Sequence, residues 1–235
     1  MIEGNANATK MTSITALVYG DPGSGKTHLI STAPKPYVII SERQPNTLIS
    51  TGKDIPYVIV ETWEDAQLVV DEIAQGIRAA DAETIALDSA TDLTPLVVDY
   101  VQRTQNKKKM DISCWGLAVD YLRTFIWKIS HQIGKQKHVL VTARASIEKD
   151  DISGQIAGWP DTIGKFRQSL AAHFDLAFYC EQGFDYVTKQ AKFEMHTIAK
   201  GYYKAKGGLG ITDPVMPNDF SVIVSRWNDR YNTTK

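Results

Sequence analysis

The chain has 235 residues, enough for one large α/β domain with a sizeable core. Its 26 basic and 27 acidic side chains leave a net charge of −1, and its 43% hydrophobic content is ordinary, so any hold on a polyanion must come from a local basic patch. Two cysteines, Cys114 and Cys180, and five scattered histidines argue against a disulfide scaffold or structural zinc; the polar start MIEGNANATKMTS and the lack of any apolar run near ~20 residues point to a cytoplasmic protein without membrane contact.

Residues 13–19, SITALVY, read as a short buried strand. The glycine-rich GDPGSGKT follows, and a helix over 26–32 leaves it. PYVII (36–40) and PYVIV (56–60) are apolar, β-branched runs opened by proline and read as strands. Thr62 and Asp65 have capping-box spacing, and Ala66, Val69, Val70, Ile73 and Ile77 recur on one helical face after them. TIALD (84–88) reads as a buried strand ending in aspartate, with a helix around 93–104 behind it. A second long helix spans about 114–133, striped by Ala118, Leu122, Phe125, Ile129 and Ile133 and stopped by Gly134. Trp115 and Trp127, on this helix, read as core. HVLVTA (138–143) is another buried strand, and 146–164, with Gly154, Gly158, Pro160 and Gly164, reads as a long mobile loop. DLAFYC (175–180), FEMHTIA (193–199) and FSVIV (220–224) read as the last strands.

Strands alternating with helices imply a mostly parallel sheet covered on both faces. The late strands, with no helices between them, imply antiparallel additions at its edge. The organisation is a short polar arm (1–12), one core (13–225) and a tail (226–235).

Gly20-Asp21-Pro22-Gly23-Ser24-Gly25-Lys26-Thr27 fills every fixed position of G-x-x-x-x-G-K-[ST], between a strand and a helix. Glycines let successive N–H groups turn inward around a phosphate, and the helix start points the same way. Lys26 supplies charge for the β- and γ-phosphates and Thr27 a hydroxyl for Mg²⁺. The residues expected against ATP are therefore Asp21, Pro22, Gly23, Ser24, Gly25, Lys26, Thr27 and His28. Asp88, at a strand end, is the candidate to hold Mg²⁺ through water. Two glutamates at strand ends, Glu42 and Glu61, are candidates for the catalytic base.

In order along the chain, TIALDSATDLTP, WGLAVDYLRTFIWKI, HVLVTARAS, IGKFRQSLAAHFDLAFY and YYKAKGG resemble a RecA-type recombinase core. The resemblance is nearest to the small phage-encoded RecA-like ATPases of the Sak-four type, and it covers about residues 13–225. It implies a RecA-like P-loop fold, single-strand annealing or homologous recombination, single-stranded DNA as ligand, a single-strand-binding protein as partner, and a homo-oligomer. It implies Glu42 as the residue that activates water, Asp88 as the metal-site aspartate, and Arg144 at the strand tip that senses the γ-phosphate. It implies Lys204 and Lys206 as a pair reaching a neighbour's ATP. Two apart, these lysines would face one side of a strand. Segments 103–113 and 145–163 fall where the two DNA-binding loops lie.

Single-stranded DNA needs cations for its phosphates. The first segment offers Arg103, Lys107, Lys108 and Lys109. The second region offers Lys149, Lys165 and Arg167, among the acidic Glu148, Asp150, Asp151 and Asp161. Two other readings stand beside this one. A P-loop kinase of a small molecule predicts a lid with several arginines, and no arginine-rich segment of that kind is present. A non-catalytic nucleotide-binding loader or adaptor predicts binding without turnover.

Overall fold

The computed structural model describes residues 11–42, 44–149 and 154–231. The start of the polar arm, Asp150 and Asp151 of the second basic segment, and the last residues of the tail lie outside the described residues.

The strands are β1 (Thr15–Gly20), β2 (Pro36–Ile40), β3 (Tyr57–Ile59), β4 (Thr84–Asp88), β5 (His138–Lys149), β6 (Ile156–Pro160), β7 (Leu176–Asp185), β8 (Gln190–His196) and β9 (Val215–Pro217). They form one sheet in the order β3-β2-β4-β5-β1-β7-β8-β9, with β6 attached to β5. From β3 through β7 every neighbouring pair is parallel. β8 and β9 add antiparallel at one edge, and β6 folds back antiparallel on β5. The fold is thus α/β, mostly parallel with antiparallel edge strands.

The central strands alternate their side chains between two core layers. Leu17, Tyr19, Ile39, Leu87 and Val141 pack beneath α3 (Trp63–Ala74), α4 (Ala90–Thr104) and α5 (Ile112–Trp127). Ala16, Val18, Val38, Ala86 and Leu140 pack beneath α1 (Lys26–Ile30), α2 (Asn46–Ser50) and α7 (Phe220–Tyr231). A sheet apolar on both faces needs helices on both, which is why the central strands read as unbroken apolar runs. α3 begins with the capping box of Thr62 and Asp65, both of whose bonds form.

Four local expectations are corrected. FSVIV is not a strand: Phe220, Ile223, Val224 and Trp227 are all buried on one helical stripe, and α7 runs on through residues assigned to the tail. A five-residue apolar run fits both periods, and Trp227 continues only the helical one. The long loop after 145 is largely a hairpin, because β5 continues to Lys149 and β6 pairs with it. Trp115 and Trp127 are 44% and 45% exposed, whereas Trp63 and Trp227 are the buried tryptophans. Gly134 is not a left-handed helix stop. Residues Lys128–Gln132 widen to a π-helix and Ile133–Lys135 tighten to a 3-10 turn. A Cβ on Gly134 would come within 2.7 Å of Thr15 Cγ2, so close packing on β1 explains this glycine.

No helix among the described residues is long and apolar enough to cross a membrane.

Candidate functional site

β1 ends at Gly20, and the loop to α1 turns there with Gly23 at φ 80° and Gly25 at φ 85°. Both angles are left-handed, a conformation that only glycine adopts without strain. The Lys26 ammonium folds back on its own loop. It donates to the carbonyls of Gly20 and Asp21, each at 2.9 Å, and to Ser24 Oγ at 3.3 Å. Burial lowers its pKa, and the nearby Cys180, Asp88, Asp21 and Glu42 oppose that. A phosphate oxygen would take the place of these neutral acceptors with a charged one.

The strand order decides what faces this loop. β5 lies between β1 and β4, so its tip stands between the phosphate loop and Asp88. Val18 and Gly20 of β1 are level with Thr142 and Arg144 of β5. Thr142, wholly buried, donates to Asp88 Oδ1 at 2.5 Å, and Thr27 donates to Asp88 Oδ2 at 2.8 Å. Burial pushes the Asp88 carboxyl above the ordinary range, while the two hydroxyls and Lys26 hold it back.

A buried carboxylate faced by hydroxyls is a hard-oxygen donor set of the kind Mg²⁺ takes. The residues fit that ion, with Thr27 and Asp88 as those that would hold it. Bound there, it would neutralise charge on the β- and γ-phosphates.

A cleft of about 280 Å³ opens over these groups, lined by Pro22, Gly23, Gly25, Lys26 and Thr27 on one side. Glu42, Thr47, Asp88, Ser89 and Arg144 line the other. Glu42 stands at its solvent-facing rim. Partial burial there, with Asp88 and Asp92 nearby, raises its carboxyl above the ordinary range, and Arg144 and Lys26 moderate the rise. Glu61 is exposed and does not line the cleft. The reason is its strand: β2 pairs with β4, which carries Asp88, whereas β3 is one strand further out.

Arg144 reaches the cleft held from three directions. Its Nη2 pairs with Asp92 Oδ1 at 2.9 Å, its N–H donates to Thr91 Oγ1, and its carbonyl accepts from the N–H of Asp161. No motif marks Asp92 as a site residue, although Ser89 and Asp92 have the same capping spacing as Thr62 and Asp65. Ser89 Oγ accepts from the Asp92 N–H and donates to its Oδ2 at 2.5 Å.

Other candidates fall elsewhere. His28 is exposed on α1 and does not line the cleft. Lys204 and Lys206 are not on a regular strand, contrary to expectation. They follow a turn at Gly201, and Lys206 makes an isolated bridge. The Lys206 ammonium donates to Phe174 O at 2.6 Å, and its backbone pairs with Ala177, at the end of β7 away from the phosphate loop. Lys204 offers its carbonyl to Tyr19 Oη.

Among the DNA candidates, Arg103 is already paired with Asp99 at 2.8 Å and Glu64 at 3.1 Å. Lys107 pairs with Asp111 at 3.2 Å, and Asp111 caps α5. Lys108, Lys109, Lys149 and Lys165 are exposed, while Arg167 donates to Gly164 O at 2.8 Å. Glu64 opens α3 directly after β3, so the Arg103 end of α4 lies toward the carboxyl ends of the strands, as the cleft does.

The sequence model of the AAA domain family matches residues 12–204. No curated protein matches the chain.

Proposed function

The chain belongs to the AAA domain family, a P-loop ATPase type, and on that premise we propose a Mg²⁺-dependent ATPase that works on single-stranded DNA. The observation that carries the ATPase part is the convergence of Lys26, Thr27, Glu42, Asp88 and Arg144 on one cleft from four separate segments. In this reading Lys26 and Arg144 bind phosphate oxygens, Thr27 and Asp88 hold Mg²⁺, and Glu42 takes a proton from the attacking water. A carboxylate with a raised pKa at the rim of a phosphate cleft suits that last task, because its basicity is closer to neutral pH.

The DNA part is supported by the resemblance to RecA-like annealing proteins and by exposed lysines at 108, 109, 149 and 165. Its biological setting would be annealing or homologous recombination, in a phage, beside a single-strand-binding protein and as a homo-oligomer. Lys204 and Lys206 would act across a subunit interface in such an assembly.

The test is ATP turnover with Mg²⁺, measured with and without single-stranded DNA. Turnover stimulated by DNA is expected. Turnover that needs a small phosphate acceptor would make the chain a kinase, and tight ATP binding with no turnover in either condition would make it a loader or adaptor.

A further inference from the structure

The cleft has a direction. Glu42, Asp88 and Arg144 stand on the β2-β4-β5 side of the phosphate loop, where the γ-phosphate and Mg²⁺ would sit. The nucleoside is at the other end of a triphosphate and so points toward β7 and β8. There the sheet overshoots the loop. Gly20, the last residue of β1, is level with Cys180, yet β7 continues to Asp185 in a hairpin with β8.

Cys180 and Met195 face the core layer beneath α1 and α7. Alternation puts Gln182 and Phe184 on the Cys180 face, and Phe193 on the Met195 face. These side chains therefore overhang the phosphate loop on its α1 side. A Cβ built on Gly25 would lie 3.0 Å from Phe193 Cδ1 and 2.5 Å from Asn218 Nδ2, and one on Gly23 would lie 3.7 Å from Gln182 Oε1. The Asn218 amide donates to Gly25 O at 2.8 Å. Phe193 and Phe184 are 36% and 54% exposed.

An exposed phenyl ring beside a phosphate loop offers a flat apolar face, which suits a base and not a phosphate. We propose that Phe193, flanked by Phe184 and Asn218, is the nucleoside subsite and takes the base by stacking. The subsite rests on the nucleotide-binding reading above. It gives Gly25 a second constraint besides its backbone angle, because any side chain there would push Phe193 and Asn218 off the loop.

Calorimetric affinities for Mg-ATP and for Mg-tripolyphosphate, which has no nucleoside, test this in the full chain, in Phe193→Ala and in Phe193→Tyr. Phe193→Ala is expected to lose roughly tenfold for ATP, the scale of one base–aromatic stack, and nothing for tripolyphosphate. Phe193→Tyr should restore ATP affinity, since it keeps the ring. Equal losses for both ligands would make Phe193 a prop of the loop and overturn the subsite. Unchanged ATP affinity would overturn it as well, and an accompanying loss of single-stranded DNA affinity would assign the hairpin to a polynucleotide. A parent chain that binds neither ligand overturns the nucleotide reading along with the subsite; a parent that binds both, with an indifferent Phe193→Ala, overturns the subsite alone.

Discussion

Thr27 Oγ1 donates to Asp88 Oδ2 at 2.8 Å, across 61 positions of sequence. The two residues expected to share a Mg²⁺ are thus already in contact, held there by β1 and β4 on either side of β5. That pairing frames the consequences of altering the cleft.

Lys26→Ala should abolish most nucleotide binding and leave the fold intact. Among the described residues the ammonium bonds to its own loop, so its removal exposes no core. A hydrogen bond to a charged group is worth about 1.5–3 kcal/mol, so ATP affinity should fall roughly tenfold to a hundredfold. Near-normal turnover in a folded Lys26→Ala protein would remove the ATPase assignment.

Glu42→Gln separates binding from chemistry. A neutral amide of the same shape cannot accept the proton from water, so turnover should fall about 10²–10⁴-fold while ATP affinity persists. Glu61→Gln, outside the cleft, should leave turnover near the parent value. The reverse pattern would mean that the base is assigned to the wrong strand.

Asp88→Asn should make the nucleotide-free protein more heat-stable at pH 8 while disabling Mg²⁺-dependent turnover. Burial raises the folded-state pKa of Asp88, so the native state holds this proton more tightly than the unfolded chain does. The resulting penalty is absent below the unfolded value of about 3.9 and grows as pH rises through the raised folded value. Asparagine escapes it, and the Thr27 and Thr142 hydroxyls can rotate to suit the amide. The gain in Tm, about 2–4 °C for each kcal/mol recovered, should shrink on acidification. A Tm at pH 8 below the parent's would show that the two hydroxyl bonds outweigh the cost of burial.

The DNA reading makes a quantitative claim on salt dependence. Each phosphate contact on a single strand adds about −0.7 to the slope of log K against log salt. Changing Lys107, Lys108 and Lys109 together to Ala should flatten that slope by about 1.4 if Lys107 stays with Asp111. The change becomes about 2 if Lys107 leaves Asp111 for DNA. ATP affinity should not move. An unchanged slope would return these lysines to a solvated turn and direct attention to Lys149 and Lys165.

Much of the fold was legible because it is written locally. The capping box at Thr62 and Asp65 and the stripe Ala118, Leu122, Phe125, Ile129 and Ile133 are patterns of near neighbours, and both appear as read. Local patterns mislead where neighbours are ambiguous. FSVIV satisfies two periods, and its helix is settled by packing of Trp227 in the layer beneath α1. The hairpin of β5 and β6 hid behind glycines and a proline that mimic a loop, although Ala145 to Lys149 find partners in Pro160 to Ile156.

The phosphate loop could be assigned from eight contiguous residues, because what it does depends on backbone angles that glycine permits and on one lysine at a fixed offset. Which remote residues face that loop is another kind of fact. Glu42 rather than Glu61 lines the cleft because β2, not β3, adjoins β4. Arg144 enters it with Asp92 as partner because β5 is inserted between β1 and β4. Phe193 overhangs it because β8 pairs with a strand that outruns β1. Strand adjacency is a pairing between distant segments, won by burial on both sheet faces at once. No local pattern of side chains encodes it, so the partners of the loop became identifiable only when the sheet was assembled.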